Sequence, residues 1–567
     1  MRFVFRLLVA GLVLGVLAAP ASAQDASKRM DRLFTSPNQA INSDFAFWGD
    51  HAFSGYYTGD AGVPAGTPPR GGVRIFDISN PAAPELVKNI QCDGLQADPI
   101  VWDRNGNGVA DLLLVAVDRT MDAPACGAPR SMHTVGGQTV AFHENPTGWE
   151  GVRVFELSDN PANPFETVTQ VDAQYTDCGA HTITAWTGFA EDPVDPRLIV
   201  YVSSYPLRPG PTCGQTGSTA TPPYQNTNNP YDDDKVVNDP LHRQIQVLSV
   251  PLKNPANTTE IAHPEIRYPG DPDGKQDWVE KGLTGLEPAA VACHDIVTHM
   301  EHNLAGAACA EQGQVWNVDP ATGIPDTLHP IMVGDDKVSS GGTGQFPGAV
   351  DFFHSVMFNN AGTVVNWVDE SFGRGCPPMT TYESRPWNPA GGTHKTGKMF
   401  FTDMDGNFLS EFHVGDLRPR SEKDPTGFEL EYCSAHMGMA VMGIKKDLLV
   451  NAWYTGGVDV IDFTKPTRLK EIAYYDPVSP TGTWSAYPYT GPLFRRGRGV
   501  PVYASDGVEL PAQALGMVVY RARIQTPKRR DLVDHLNPQT MDHVMMGGGD
   551  DDDDDDDRGG GRRNDDD

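Results

Sequence analysis

Helical periodicity is what this chain most conspicuously lacks. No window of the 567 residues keeps apolar positions at a 3.6-residue spacing over several turns, which excludes a helical bundle. Basic residues are also scarce. Only 44 Lys and Arg stand against 74 Asp and Glu, for a formal net charge of −30. Such a surface repels nucleic acid and anionic lipid, so neither is an expected partner. After the first two dozen residues no stretch is apolar and long enough to span a bilayer. H-E-x-x-H, G-x-S-x-G and a Gly-rich phosphate loop are all missing, so zinc-protease, serine-hydrolase and nucleotide chemistry have no motif support.

What is present is punctuation. The chain has 59 Gly and 47 Pro, spread throughout, and short apolar runs bounded by Gly, Pro, Asn and Asp. That pattern predicts an all-β fold. Three segments repeat one another: GGVRIFDISNPAAPELVKNIQ (71–91), EGVRVFELSDNPANPFETVTQV (150–171) and GGVDVIDFTKPTRLKEIAYY (456–475). Each is a glycine, an apolar run, a turn with Asp, Ser or Thr, a proline pause and a second strand-like run. A unit of this size does not bury its apolar faces alone, so copies stack into one core. The runs VRIF, VRVF and VDVIDF are apolar at nearly every position, as expected of strands covered on both faces.

Using the repeats as a ruler gives seven units. They cover 44–91, 96–173 with an insertion near 118–148, and a third unit from His181 with an insertion at 208–240. The fourth runs from His294 to about 333, the fifth starts at His354, the sixth at His436, and the seventh runs from Trp484 to about 524. The expectation is a β-propeller, most readily seven-bladed, with disulfide-tied loop insertions; a six-bladed ring or two unequal domains are the alternatives. The repeat GGVRIFDISNPAAPELV resembles the LVIVD repeat family of exported bacterial proteins, closest at 71–91 and 456–475. That resemblance implies a propeller at the cell surface. It carries no catalytic residues.

The N-terminus has Arg2 and Arg6, an apolar run from Leu7 to Leu17, and Ala21-Ser22-Ala23. It is expected to be a secretory signal peptide, 1–23, giving a secreted or cell-surface protein. Residues 24–43 then form a lead-in, 44–525 the propeller, and 526–567 a C-terminal segment ending in a disordered acidic tail around Asp550–Asp557. Eight cysteines in an exported chain imply disulfides. The connectivity is open. Neighbour pairing gives Cys92–Cys126, Cys178–Cys213, Cys293–Cys309 and Cys376–Cys433. Cys178-x-x-His181 and Cys433-x-x-His436 also have ligand-like spacing.

Four histidines hold one place in their units: His181, His294, His354 and His436. Each opens an innermost strand, and innermost strands line a propeller's channel, so the four should converge. Imidazole suits Fe, Cu or Zn. The bland reading is that they are spacers between blades, duplicated with the repeat. A metal site needs nearby carboxylates, and Asp295, Asp351, Asp369 and Glu370 are the candidates. Asp369 and Glu370 are also the candidate general bases, or a charged pair capping a strand. His294, His299 and His302 are too far apart along one extended strand to form a local zinc motif. Asp103, Asn105, Asn107 and Asp111 place oxygens at alternate positions around Gly106, as in calcium loops, but position twelve is Leu114. The same residues make a good hairpin turn.

The leading expectation is a binding scaffold for an extracellular protein, peptide or glycan. The alternative is a metal-dependent, oxidoreductase-like enzyme using the four histidines.

Overall fold

The computed structural model describes residues 25–36, 40–57, 71–130, 132–135, 138–141, 149–176, 179–204, 244–267, 292–310, 312–334, 350, 352–370, 397–414, 434–477, 482–491, 499–507, 516–528 and 531–542. Their strands run in chain order. Two N-terminal strands, β1 (Ala26–Lys28) and β2 (Met30–Thr35), precede the first unit. Blade 1 is β3 (Ile41–Trp48), β4 (His51–Tyr57), β5 (Gly72–Asp77) and β6 (Glu85–Gln91). Blade 2 is β7 (Gln96–Trp102), β8 (Leu112–Met121), β11 (Trp149–Leu157) and β12 (Val168–Tyr175), with a hairpin of β9 (Met132–Val135) and β10 (Gln138–Ala141) inserted. Blade 3 is β13 (Thr182–Trp186), β14 (Arg197–Ser203), β15 (Gln246–Pro251) and β16 (Thr259–Ala262). Blade 4 is β17 (Asp295–His299), β18 (Leu304–Cys309), β19 (Gln312–Asn317) and β20 (Met332–Gly334). Blade 5 is β21 (Phe353–Phe358), β22 (Val364–Asp369), β23 (Met399–Asp403) and β24 (Phe408–Phe412). Blade 6 is β25 (Met437–Ala440), β26 (Leu448–Ala452), β27 (Val458–Asp462) and β28 (Lys470–Asp476). Blade 7 has β29 (Thr483–Pro488), β30 (Val500–Asp506) and β31 (Met517–Ala522). The last strands are β32 (His535–Leu536) and β33 (Thr540–Met541).

Within each blade the strands pair antiparallel in sequence order. The innermost strands touch in the order β3, β7, β13, β17, β21, β25, β29 and back to β3, which closes a seven-bladed ring. Burial falls from axis to rim. β3 and β7 are almost wholly buried, whereas β6 and β12 are mostly exposed or half-buried. The repeated apolar runs are third strands, and β5, β11 and β27 are buried on both faces between neighbouring blades. The glycine opening each repeat has a steric reason. Gly72 and Gly151 sit at φ +142° and +147°, where a β-carbon would lie 1.9 Å from the Ile90 carbonyl oxygen and 2.0 Å from that of Gln174. The turn after the third strand is tied by side chains: Asp77 Oδ1 accepts from Ser79 N, and Asp462 Oδ1 from Thr464 N.

Two segments outside 44–525 belong to the ring. β2, inside the expected lead-in, pairs antiparallel with β31 and supplies the missing fourth strand of blade 7. β1 pairs with β28 of blade 6, so the N-terminus bridges two blades. At the other terminus, residues 533–542 run across the channel. β32 pairs with β3, and β33 runs parallel to β17. Between them Asn537 bonds both ways to the Val101 backbone of β7, and Gln539 Nε2 donates to the Tyr487 hydroxyl of β29. All these contacts lie where the innermost strands finish. This strap is therefore the floor of the channel.

The strap contains a buried charge cluster. His535 stacks on Trp48 at 4.3 Å and bonds Asp534 through Nδ1 and Asp542 through Nε2, at 2.8 and 2.9 Å. Burial opposes the charged ring, but Asp542 and Asp534 outweigh it and raise His535 to about 9. A raised folded-state value means stability that is fully present below the unfolded value near 6.5 and lost as pH rises through about 9. The expected loss is about 3 kcal/mol between pH 7 and 10. Urea midpoints measured across that range should fall for the protein itself and fall less for His535→Gln.

Disulfides Cys92–Cys126 and Cys293–Cys309 are present as expected. The pairs Cys178–Cys213 and Cys376–Cys433 involve positions outside the described residues, as do Asp351 and the acidic tail. Among the described residues no helix is long and apolar enough to cross a membrane.

The two ends of the ring differ. The six longest connections between blade strands, 122–148, 204–245, 263–294, 335–352, 370–398 and 413–436, all start and finish at the end where the innermost strands begin. The floor end carries shorter turns, such as 49–50, 300–303 and 404–407.

Candidate functional site

The four repeat histidines do converge. Each stands at or beside the start of an innermost strand, in four successive blades, and the ring turns those starts toward one axis. Their side chains are between 1% and 5% exposed. Ring centroids follow one another at 4.2 Å (His181–His294), 3.8 Å (His294–His354) and 4.1 Å (His354–His436). His181 Nε2 and His294 Nε2 are 2.7 Å apart.

Two rings have their tautomers set from outside. His181 Nδ1 lies 2.6 Å from Asp118 Oδ2 of β8, and a carboxylate there takes an N–H. His436 Nδ1 donates to the Trp484 carbonyl oxygen at 2.6 Å. Both rings therefore carry a lone pair on Nε2. His354 makes no side-chain hydrogen bond among the described residues, and its Nδ1 is buried without a partner. Burial pushes His294 and His354 well below the usual imidazole range, and neighbouring histidines add to it. Burial also takes His436 down to about 3, against the opposing pull of the Trp484 carbonyl. Aromatic rings pack around the group: Phe352 on His294, and Tyr454 and Trp484 on His436. Among the described residues no three His, Cys, Asp or Glu side chains already surround a common point as metal ligands do.

Further toward the floor lies a layer of carboxyls. Asp44 of β3, Asp98 of β7 and Asp295 of β17 are buried, and none forms an ion pair among the described residues. Burial raises Asp44 to about 6, against the opposing pull of the nearby polar groups of Tyr487, Ser485 and Gln539. Burial, with Asp44 and Asp295 close by, raises Asp98 well above the usual range, and burial does the same for Asp295. Asp295 was expected here from sequence. Asp44, Asp98 and Asp118 were not, though each interrupts or ends an otherwise apolar strand, which was the available signal.

The other sequence candidates are used structurally. Asp369 Oδ1 accepts from Phe352 N and Oδ2 from Gly397 N, so this carboxylate ties strand ends. Glu370 accepts from the Tyr454 hydroxyl at 2.7 Å, and that ring packs on His436. In the calcium-like loop, Asp103 accepts from the backbone of Asn105, Gly106 and Gly108, and Asn105 and Asn107 each cap a later amide. Asp111 is ion-paired with Arg104 at 3.0 Å. These oxygens fasten a hairpin turn, the other reading that Asp103, Asn105, Asn107 and Asp111 offered. For His299 and His302 the premise of one extended strand is corrected, while their separation from His294 stands. β17 ends at His299, a short turn follows, and the two rings stack at 4.9 Å on the floor side, bonding the carbonyls of Asn360 and Ala361. They stay apart from His294 because they lie at the opposite end of the channel.

No family model matches this chain, and no curated protein matches it. Solved structures do. Sqt1 from Chaetomium thermophilum, bound to the N-terminus of the ribosomal protein L10, is 9% identical, covers 87% of this chain and 90% of its own, and has a TM-score of 0.42. Sqt1 from Saccharomyces cerevisiae is 7% identical over 88% of this chain and 100% of its own, at 0.41. The RRP9 WD40 repeats are 8% identical over 89% and 99%, at 0.42. Likeness at this level carries no functional argument. The seven-bladed ring stands on its own strand order. Such a ring suits a binding scaffold, because a rigid core presents variable loops.

Proposed function

We propose that the protein is an exported propeller of the LVIVD-repeat type that binds an extracellular protein, peptide or glycan on its histidine-end face. One observation carries this reading: the six longest connections all emerge at that end, while the strap closes the other. Function on such scaffolds collects on loops, because loop sequence can vary without disturbing the buried strands. The signal-peptide pattern and the disulfides support an oxidising destination.

The test is a glycan and peptide array probed with the untagged protein and with a variant whose residues 215–240 are replaced by a short Gly-Ser link, which keeps Cys213. Saturable signals should drop at least tenfold in the variant, with its thermal midpoint nearly unchanged. An array with no saturable signal, or signals indifferent to every shortened loop on that face, would sink the reading. A second reading, metal-dependent redox chemistry, is favoured by the histidine cluster alone.

A further inference from the structure

We propose that His181, His294, His354 and His436 together hold one divalent first-row transition-metal ion at the histidine end of the channel.

The geometry already resembles a ligand set drawn slightly too tight. Four imidazoles from four successive blades form a continuous arc, with neighbouring ring centroids no more than 4.2 Å apart. Metal–imidazole bonds of 2.0–2.1 Å place two nitrogens on one tetrahedral ion about 3.3 Å apart. His181 Nε2 and His294 Nε2 are at 2.7 Å, so they need to separate by only about half an ångström. The outer partners are those a metal site uses. Asp118 holds His181 by Nδ1 and the Trp484 carbonyl holds His436 by Nδ1, so both direct an Nε2 lone pair inward. Carboxylate–histidine–metal chains orient the ring and raise its basicity in this way.

The unpartnered ring of His354 is the second reason. Its buried Nδ1 finds no acceptor or donor among the described residues, and its neighbours on both sides are other imidazoles. A buried polar group left so costs roughly 1–3 kcal/mol. A spacer between blades needs no such group, since an apolar side chain fills the same volume without that cost. An ion bound through ring nitrogens gives it a purpose. A ligand set made only of imidazole suits Zn(II), Cu(II), Fe(II) or Ni(II), not Ca(II) or Mg(II).

The proposal concerns metal binding and is independent of the recognition face, so array binding and metal content can fail separately. The experiment uses the untagged full chain, equilibrated in turn with Co(II), Zn(II) and Cu(II), dialysed, and analysed for metal and protein. One ion per chain is expected, with an intense visible Co(II) spectrum of nitrogen ligation. Weak, octahedral bands with several ions per chain would instead mark the Asp550–Asp557 run. His354→Ala should lose the nitrogen-ligated ion while keeping its far-ultraviolet circular dichroism. Asp118→Asn should weaken affinity about 10–100-fold and still saturate at one ion. If His354→Ala does not fold, the spectrum of the unaltered protein and the Asp118→Asn affinity decide. Protein that retains no ion, or a folded His354→Ala that retains it unchanged, overturns the assignment.

Discussion

Ending the chain after Thr526 will lower the calorimetric unfolding midpoint by roughly 10 °C or more, or abolish the cooperative transition. The truncation removes no blade strand. It removes the strap, whose Val533, Leu536 and Met541 are buried in the same core cluster as Phe47, Val297 and Tyr487. Burying three such side chains contributes roughly 5–9 kcal/mol, against a total stability of about 5–15 kcal/mol for a typical domain. Freeing the strap returns chain entropy, which offsets part of that loss. It also leaves the Val101 amide, the Thr298 amide and the Tyr487 hydroxyl without the partners that Asn537 and Gln539 provide. Those bonds join blades 1, 2, 4 and 7 across the axis, so their loss loosens the ring as a whole. Leu536→Ala is the milder form and should cost about 2–5 kcal/mol. A truncated protein melting within two or three degrees of the parent would show that the strap merely rests in the channel.

The second large effect is at the other terminus. A chain that starts at Ser36 will associate or aggregate, visible as a shift to large species in light scattering. Without β2, blade 7 ends on β31, a buried apolar strand with a row of unpaired backbone groups. Such an edge pairs with whatever strand it meets. Met30, buried against Val518 and Tyr520, leaves as well. The Asp31 contacts to Arg521 and Arg523 are largely exposed and matter little beside the strand itself. Adding a peptide of residues 25–36 in trans should restore a monomer. If the shortened chain remains monomeric and equally stable, ring closure does not depend on β2.

Much of the ring was legible. The glycine, the apolar third strand and the Asp or Asn turn recur because the blades that carry them repeat one steric problem, a close carbonyl beside Gly72, Gly151 or Gly457. The unit boundaries at 44, 96, His181, His294, His354, His436 and Trp484 fall within a few residues of the strand starts for the same reason. The convergence of four histidines followed from their equal place in the repeat. Other features carried no such mark. β2 and the strap pair with strands nearly 500 residues away, and nothing in their own short sequences announces those partners. Asp118 stands on a different blade from the histidine it orients. The oxygens of Asp103, Asn105 and Asp111 have ligand spacing, yet nearby amides hold the first two and Arg104 holds the third.

Local chemistry thus wrote the blade: alternating turn and strand residues are short-range constraints, read one window at a time. Closure, flooring and the orientation of the histidine rings are long-range choices, set by which distant backbone groups and side chains meet once the blades have stacked. Those meetings depend on three-dimensional complementarity that a linear pattern does not encode, and the tertiary structure alone decided them.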